Sequence, residues 1–242
     1  MLTKEGIILK TIPYLEQAKI AHVLTEAGKE SFIIRGASKM KSSNRAMAQM
    51  LTKIAFNATE KGTLRTITES KVLDDYDAIK QDYDKMQSVY PILEKLYSFS
   101  DQVNNARTLY EFTSQILELL LRSKYHQTIS NLFDLKLTYL LGIGPNFGSC
   151  SHCEKTEDLQ FVASEGGVLC PSCMKPEFAK SSVQMTQLIK YLYLIKIGKV
   201  NEQFLEAYEN ITFEIEEIID GYYLQFLGFQ SSTKKVIKRM NK

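Results

Sequence analysis

Residues 6–37 read GIILKTIPYLEQAKIAHVLTEAGKESFIIRGA, and this stretch decides the fold of the first part of the chain. It holds three short β-like runs, GIILKTI, AKIAHVLT and ESFIIRGA. The turn EAGK separates the second run from the third, and its Gly28 can adopt the positive φ that tight turns require. The stretch therefore predicts three consecutive strands.

Two further β-like runs follow, MLTKIAFNAT and TLRTITESKVL, with the turn EKGT at residues 60–63 between them. Five strands within about seventy residues suit a small closed barrel. The OB-fold is the favoured interpretation, and an SH3-like barrel is the alternative that the pattern leaves open. OB-fold barrels commonly bind single-stranded nucleic acid along one face.

Beyond the fifth run, the apolar pattern changes from the period of strands to that of helices. Apolar residues at helical spacing occur in residues 105–124, in residues 128–144 and in a stripe over residues 204–222. The predicted fold class is therefore α+β with two domains. An N-terminal five-stranded OB-fold β-barrel is expected in residues 1–80, followed by a mainly α-helical domain in residues 81–242.

The cysteines of the chain form one motif, C-x2-C-x16-C-x2-C. Its members are Cys150, Cys153, Cys170 and Cys173. Each C-x2-C loop lets two sulfurs reach one ion, and Zn²⁺ takes four thiolates in a closed tetrahedral shell. A thioredoxin-like redox site is the alternative, but such a site usually has one C-x-x-C pair within a βαβ unit. The motif predicts one structural zinc ion per chain.

The segment between the two cysteine pairs has the pattern of a short hairpin. LQFV at residues 159–162 supplies apolar strand residues, and the glycine pair at residues 166–167 supplies a turn. This predicts a zinc-ribbon-like finger at about residues 148–175, inserted in the helical domain. His152 lies inside the first C-x2-C loop. An exposed loop position is its favoured role, and replacement of a cysteine ligand is left open.

Motifs of catalysis are missing from the sequence. It contains no GxxxxGK[ST] phosphate loop, no HExxH and no GxSxG. GIGPNFG fails the dinucleotide fingerprint GxGxxG because Phe147 stands where the third glycine is needed. The three histidines are far apart and fall in different predicted elements. We therefore expect a protein that is not an enzyme and has no small-molecule substrate.

Membrane and secretory signals are also missing. The longest apolar stretches, such as ILELLL at residues 116–121, are far shorter than the roughly 18 to 20 residues that span a bilayer. The opening MLTKEGIILK has no small-residue cleavage site. We expect a cytoplasmic protein without a membrane partner.

This location bears on the cysteines. In a reducing compartment, paired cysteines are more often metal ligands or redox groups than structural disulfides.

Charge is distributed unevenly along the chain, although the net charge is only +2. Residues 1–66 contain eleven basic and five acidic residues, a balance of +6, whereas the rest carries 19 against 23, a balance of −4. The loop RGASKMKSSNR is the most basic segment, and no acidic residue occurs in residues 31–59. A solvated surface is the plain alternative, but a basic loop on a barrel favours phosphate contacts. The predicted DNA-binding residues are Arg35, Lys39, Lys41 and Arg45.

These segments together carry a resemblance to a known family. GIILKTIPYLEQAKIAHVLTEAGK, RGASKMKSS, FDLKLTYLLGIGPNFGSCSHC and FVASEGGVLCPSC resemble, in this order, the bacterial DNA repair protein RecO family. The resemblance spans most of the chain and is most specific in residues 133–173. Arg35, Gly36, Ala37 and Lys39 match the basic loop of the family, Tyr14 and Glu16 match its Y-x-E turn, and the four cysteines match its zinc finger.

The resemblance implies a role as a recombination mediator. Proteins of this family bind single- and double-stranded DNA and anneal complementary strands without hydrolysing a nucleotide. They act with RecR to load RecA onto single strands that are covered by single-stranded DNA-binding protein. The resemblance thus adds an association with the nucleoid to the cytoplasmic location expected above.

A contact with the acidic, apolar-ended tail of single-stranded DNA-binding protein is also implied. A groove between helices in residues 81–242, flanked by local cations, is the expected site. Lys190, Lys196 and Lys199 or the closing KKVIKRMNK are the candidate cations. Two alternatives come from other classes of protein. A zinc-ribbon RNA-binding or translation-associated adaptor would have the same barrel and loop, and a thiol oxidoreductase would turn over dithiol substrates.

Overall fold

The computed structural model describes residues 2–60 and 64–240, which form two compact units. Residues 2–121 and 233–240 belong to the first unit and residues 122–232 to the second. The first unit includes the helix at Tyr83–Phe99, which contacts the first strand of the barrel.

A closed barrel forms the start of the first unit. Its strands are β1 (Lys4–Tyr14), β2 (Ala18–Thr25), β3 (Gly28–Ile34), β4 (Lys53–Ala58) and β5 (Arg65–Asp74). They close in the order β1-β2-β3-β5-β4, with β3 and β5 parallel and the other pairs antiparallel. The five-stranded OB-fold barrel predicted from the sequence is confirmed. Of the predicted turn EKGT, residues 61–63 lie outside the described part of the chain.

The barrel interior is filled by apolar side chains from all five strands. Phe32 and Phe56 meet edge to face at its centre, with ring centroids 4.9 Å apart. Such aromatic pairs add about 0.5–1.5 kcal/mol to the stabilisation that burial itself provides. Ile8 and Val23, which pair across β1 and β2, complete this part of the core with no exposed surface.

A β-bulge in β1 decides which side chains face outward. Ile8 pairs with Val23, but Lys10 pairs with His22, so Leu9 is an extra residue on β1. One extra residue reverses the face on which the following side chains lie. Lys10 consequently lies on the outer face of the barrel, although it is two residues from the inward-facing Ile8.

A cluster of ionic hydrogen bonds braces the barrel at Glu30. Its carboxylate, with a side-chain exposure of 15%, accepts hydrogen bonds from Lys4 Nζ at 2.9 and 3.0 Å and from Thr25 Oγ1 at 2.9 Å. Arg65 donates a further hydrogen bond to it. Burial raises the pKa of Glu30, but the hydrogen bonds from Lys4, Arg65 and Thr25 outweigh burial and hold this pKa below the ordinary value of 4.5.

Glu30→Gln is expected to lower the free energy of unfolding by about 1–3 kcal/mol at neutral pH. The reason is that Lys4 and Arg65 would then donate to a neutral amide oxygen and no longer to a carboxylate. A carboxyl group whose pKa is lower in the folded than in the unfolded protein stabilises the fold at any pH above its unfolded-state pKa. This stabilisation is lost as the pH falls through the folded-state pKa. The difference between wild type and variant should therefore shrink below about pH 4. Urea titrations over pH 3–7 would measure it, with the exposed Glu26→Gln as control. Equal midpoints at neutral pH would contradict the prediction.

Helices complete the first unit. They are α1 (Ser43–Met47), α2 (Asp77–Lys80), α3 (Tyr83–Phe99), α4 (Ala106–Arg122) and most of α9 (Ser232–Met240). The helix predicted over residues 105–124 corresponds to α4 and is confirmed. The helix α3, which contains Pro91, was not predicted from the sequence. Proline in a helix interior ordinarily disfavours the helix, but here Asp82 caps the start and Ile92 and Leu96 are fully buried.

The second unit combines helices with a small sheet. The helices are α5 (His126–Leu140), α6 (Val183–Leu194), α7 (Glu202–Glu206) and α8 (Thr212–Leu227), and the strands are β6 (Asn146–Cys150), β7 (Gln160–Val162) and β8 (Gly167–Leu169). The helix predicted in residues 128–144 corresponds to α5. No helix in the described ranges has both the length and the apolar character needed to cross a membrane.

The continuous helical stripe predicted over residues 204–222 is wrong, because the chain turns between α7 and α8. Buried polar contacts account for the interruption. The Tyr208 hydroxyl donates a hydrogen bond to the Leu188 carbonyl at 3.1 Å. The Asn131 amide nitrogen donates to the Thr212 carbonyl at 2.7 Å, at the residue where α8 begins. These contacts fix the chain on either side of the turn, and the apolar spacing alone does not reveal them.

Candidate nucleic-acid interface and metal centre

The basic loop after β3 is ordered by local hydrogen bonds. The Asn44 side-chain amide donates to the Arg35 carbonyl at 2.8 Å, and the Lys39 N–H donates to the Gly36 carbonyl at 3.1 Å. Gly36 has a φ of +70°, which favours glycine. The loop therefore turns sharply just after β3 and holds Arg35 next to the end of the strand.

A short helix follows this turn, so the segment RGASKMKSSNR is not a loop along its whole length. Arg45 lies in α1, whose first turn is capped by the Ser42 hydroxyl. Ala37 and Met47 are buried in the barrel core and anchor the segment at both ends. The predicted cations Arg35, Lys39, Lys41 and Arg45 are all exposed. Within the described residues, none of them forms an ion pair with an acidic side chain.

The basic loop meets the turn between β1 and β2. The Ser38 N–H lies 3.4 Å from the Gln17 carbonyl, which ties the two segments together. An open groove of about 950 Å³ lies between them. Its lining residues are Tyr14, Leu15, Glu16, Gln17, Ala18, Ile33, Arg35, Gly36 and Lys39. Two of the four predicted cations, Arg35 and Lys39, therefore share one groove with the Y-x-E turn, whereas Lys41 and Arg45 do not line it.

Two exposed apolar residues in these segments were not predicted from the sequence: Leu15 lines the groove, whereas Met40 lies outside its lining. Leu15 is 78% exposed, although it is a large aliphatic side chain, and it has a φ of +51°. Met40, within the basic loop, is 85% exposed. The position of Leu15 between two residues of a predicted turn could have indicated its exposure, but its positive φ is visible only in the structure.

The four cysteines meet at one point in the second unit. Their sulfur atoms all lie within 4.8 Å of one another, and Cys153 Sγ is 3.5 Å from Cys170 Sγ. They form no disulfide. In a tetrahedral site with Zn–S bonds near 2.3 Å, the sulfurs are about 3.8 Å apart. The donor set and its spacing therefore fit one ion held by four thiolates, the site predicted from the motif.

A three-stranded sheet supports the two cysteine loops. The strand order is β6-β8-β7, with β7 and β8 antiparallel, so the predicted hairpin between the cysteine pairs is confirmed. Gly166, at φ +69°, makes the turn before β8. A Cβ on Gly167 would lie 2.7 Å from the Asn146 carbonyl, so the parallel strands β6 and β8 require glycine there. Cys150 ends β6, and Cys170 follows β8 directly.

Hydrogen bonds favour the thiolate form at Cys150. Burial raises the pKa of Cys150, but backbone hydrogen bonds at Cys170, His152 and Cys153 outweigh burial and lower this pKa to about 6. His152 itself points elsewhere, because its Nε2 lies 2.8 Å from a Glu165 carboxylate oxygen. The geometry of the donor cluster thus uses four sulfurs and no imidazole.

The candidate cations of the tail-binding site fall in different places. Lys190 donates a hydrogen bond to the Phe147 carbonyl at 3.0 Å, whereas Lys196 and Lys199 are exposed near a short 3₁₀ turn. Residues 234–240 of the closing basic segment form most of α9, which belongs to the other compact unit. Residues 241–242 lie outside the described part of the chain.

Comparison with protein families matches almost the whole chain. The family model described as "Recombination protein O N terminal" matches residues 1–76, and the model described as "Recombination protein O C terminal" matches residues 81–234. The first match covers the barrel strands, and the second includes the cysteine cluster.

Curated relatives agree with the family models. The chain is 30% identical over 246 residues to a protein named DNA repair protein RecO from Oceanobacillus iheyensis, which covers 100% of this chain and 95% of the relative. It is 25% identical over 242 residues to the protein of that name from Listeria monocytogenes serotype 4b (strain CLIP80459), covering 98% of this chain and 94% of the relative. The chain thus belongs to the recombination protein O family, with a role in DNA repair and recombination.

Proposed function

We propose that this protein is a recombination mediator that captures DNA by its backbone and anneals complementary strands. The observation that carries the proposal is the groove between the basic loop and the β1–β2 turn, with Arg35 and Lys39 on its wall. Lys41 and Arg45 extend the cationic surface beyond the groove. Cations on a backbone-ordered loop contact phosphates of single- and double-stranded DNA without reading base sequence.

The cysteine cluster has a structural role in this proposal. Four thiolates would hold Zn²⁺ in a closed shell, which leaves no position for water or substrate. The ion would link the end of β6 to the segment after β8 and so stabilise the small sheet. The proposed mediator performs no catalysis, hydrolyses no nucleotide and takes no small-molecule substrate.

The proposed partners are DNA and the recombination machinery. RecR would act together with this protein, the acidic tail of single-stranded DNA-binding protein would recruit it to covered strands, and RecA would be loaded as the indirect result. This work would take place in the cytoplasm, at the nucleoid. We place the tail site within residues 81–242, separate from the DNA-binding groove of the barrel.

Separation of the two sites predicts that a labelled tail peptide binds the full-length Lys39→Glu, Lys41→Glu variant with an affinity within about twofold of wild type. The two lysines lie in the basic loop after β3, outside residues 81–242. Fluorescence anisotropy would measure the affinity, with a peptide lacking the acidic residues as control. A large loss of tail binding in the variant would place the site on the barrel.

Strand annealing is the experiment that tests the proposed function. Two complementary oligonucleotides, each covered with single-stranded DNA-binding protein, would be mixed with and without the full-length protein, and duplex formation would be followed by energy transfer. A mediator should accelerate annealing. An RNA-binding adaptor should instead prefer RNA and leave covered DNA strands unpaired, and that outcome would contradict the proposal.

A further inference from the structure

Strand β5 has a free edge along most of its length. β3 pairs with it only at Arg65 and Thr66 and ends at Ile34, and no other strand in the described ranges pairs on that side. Helix α1 contacts β5 without covering it, since residues 68–73 are all exposed. Side chains alternate between the two faces of a strand, so both faces of this segment are open to solvent. Such an edge offers unpaired backbone groups to another strand.

The hydrogen-bond pattern shows which backbone groups of β5 face this edge. Ile8 on β1 bonds towards β4, because its N–H donates to the Thr52 carbonyl at 2.9 Å. The direction repeats every second residue, so Gly6 also bonds towards β4, where its partner is Ile54. Val72 lies opposite Ile54 on β5. Since the backbone groups of Ile54 point to β1, those of Val72 point away from β4, to the free edge.

Ser70 shares the direction of Val72, because residues 69–72 pair with β4 without a register shift. The N–H and C=O of Glu69 and Lys71 are used by β4. A second β5 that runs antiparallel must therefore meet this edge at Ser70 and Val72. A two-fold axis through Ser70 lets the two copies of that residue exchange N–H···O bonds. The same axis places Glu69 of one copy opposite Lys71 of the other, and it does so twice.

Other registers lack this match of charge and hydrogen bonds. An axis through Val72 would place Lys71 opposite the apolar Leu73. An axis between two residues would join an edge-facing residue to one that already bonds to β4. β5 shifts its register against β4 on either side of residues 69–72, so regular pairing with a second copy is short. The axis through Ser70 lies within this segment.

The side chains on this edge suit such pairing. Both Glu69 and Lys71 are exposed, and Lys71 forms no ion pair in the part of the chain that the structure describes. The Glu69 carboxylate accepts a hydrogen bond from Asn57 Nδ2 at 3.2 Å, which orients it on the strand. Charged residues on edge strands usually discourage pairing, but opposite charges at directly facing positions attract. Pairing would also shield Val72, an apolar side chain that is 37% exposed.

We propose that β5 pairs antiparallel with β5 of a second copy of this chain, around a two-fold axis at Ser70. Backbone hydrogen bonds and two ion pairs between Glu69 and Lys71 hold the two sheets edge to edge. Because the regular segment is short, the interface stays below the roughly 1,200 Å² of stable complexes, and the dimer is weak and reversible. At the nanomolar concentrations of DNA titrations the protein is therefore a monomer.

The pairing would add a second DNA-binding groove to the proposed function. Each copy carries one groove with Arg35 and Lys39, so two paired copies offer one groove to each of two complementary strands. Binding of several copies to one covered strand would raise their local concentration and so populate a weak dimer. This consequence rests on the proposed function, whereas the pairing itself does not.

Charge complementation tests the proposed register. Sedimentation equilibrium of the full-length protein, without DNA and at about 1–100 μM, should show a concentration-dependent dimer. Glu69→Lys alone and Lys71→Glu alone each place like charges face to face, so each should weaken dimerisation by about tenfold or more. An equimolar mixture of the two variants restores opposite charges at both positions. It should form a heterodimer about as tightly as wild type forms its homodimer.

Glu157→Lys and Lys155→Glu provide matched control variants. These two residues are also exposed and two positions apart, but they lie between the cysteine pairs and not on β5. Each control variant should dimerise as wild type does, alone or mixed with the other. Equal loss of dimer in the control variants would show that the effect comes from net charge.

Ser70→Pro tests the backbone hydrogen bonds of the edge. Proline removes the edge-facing N–H of Ser70 and leaves the bonds to β4 in place, because Ser70 does not donate to β4. The variant should be monomeric over the same concentrations, and its melting temperature should stay close to that of wild type. Ser70→Ala keeps the N–H and should dimerise as wild type does.

The outcomes separate the pairing from the proposed function. A wild type that is monomeric throughout the concentration range would overturn the inference. A dimer that survives Ser70→Pro and both charge variants of β5 would overturn it as well, because the contact would then lie on another surface. So would failure of the two charge variants to pair with each other. None of these measurements contains DNA, so a protein that dimerises through β5 but fails to anneal covered strands would contradict the proposed function alone.

Discussion

Replacing Cys170 with serine is expected to abolish metal binding and to destabilise the second compact unit. Cys170 is buried and follows β8, and its sulfur lies within 4.8 Å of the other three cysteine sulfurs. Structural zinc contributes roughly 10–16 kcal/mol in small zinc-finger peptides. Loss of even a fraction of that stabilisation should lower the melting temperature of the full-length protein by about 10 °C or more.

Two measurements keep this prediction specific to the metal. Plasma mass spectrometry should find one zinc per chain in wild type and much less than one in Cys170→Ser, and a chelator should bring the melting temperature of wild type towards that of the variant. Ser172→Ala, an exposed change between the last two cysteines, should keep both zinc and stability. Wild type without stoichiometric metal, or with a disulfide when purified under reducing conditions, would show that the assignment is wrong.

Local patterns in the sequence predict the elements that depend on local contacts. The run AKIAHVLT coincides with β2 (Ala18–Thr25), because a run of apolar and β-branched residues bounded by turn residues is a local property of one strand. The spacing of the four cysteines likewise predicts their convergence, since a C-x2-C loop brings two sulfurs together by itself. The hairpin β7–β8 follows from the glycine pair in the same way.

Features that depend on distant contacts were not predictable from the sequence. The β1 bulge is visible only in the pairing of Lys10 with His22, and the run GIILKTI gives no sign of it. The groove exists because the Ser38 N–H meets the Gln17 carbonyl, a contact between segments separated by two strands. The cations were therefore predicted as a list of residues, whereas the apolar surface beside two of them became visible only in the fold.

Charge reversal of the basic loop is the second prediction with a large expected effect. Lys39 and Lys41 are exposed and form no ion pair within the described residues, so glutamates there leave no buried partner behind. Each phosphate contact adds about 0.7–0.9 to the slope of log affinity against log salt. Removing two contacts should weaken binding by roughly 50-fold at about 0.1 M salt, and opposite charges should weaken it further.

Loss of phosphate contacts should weaken binding by the same factor for every DNA sequence, because these contacts do not read the bases. Lys39→Glu, Lys41→Glu should bind unrelated oligonucleotides with the same relative loss, and its salt slope should be smaller by about 1.4–1.8. Lys71→Glu, Lys155→Glu is a control with the same change in net charge at two exposed positions outside the loop. If both double variants lost affinity equally, the effect would come from net charge. If the loop variant kept the affinity and salt slope of wild type, the loop would be an ordinary solvated surface, and the DNA contacts would have to lie elsewhere.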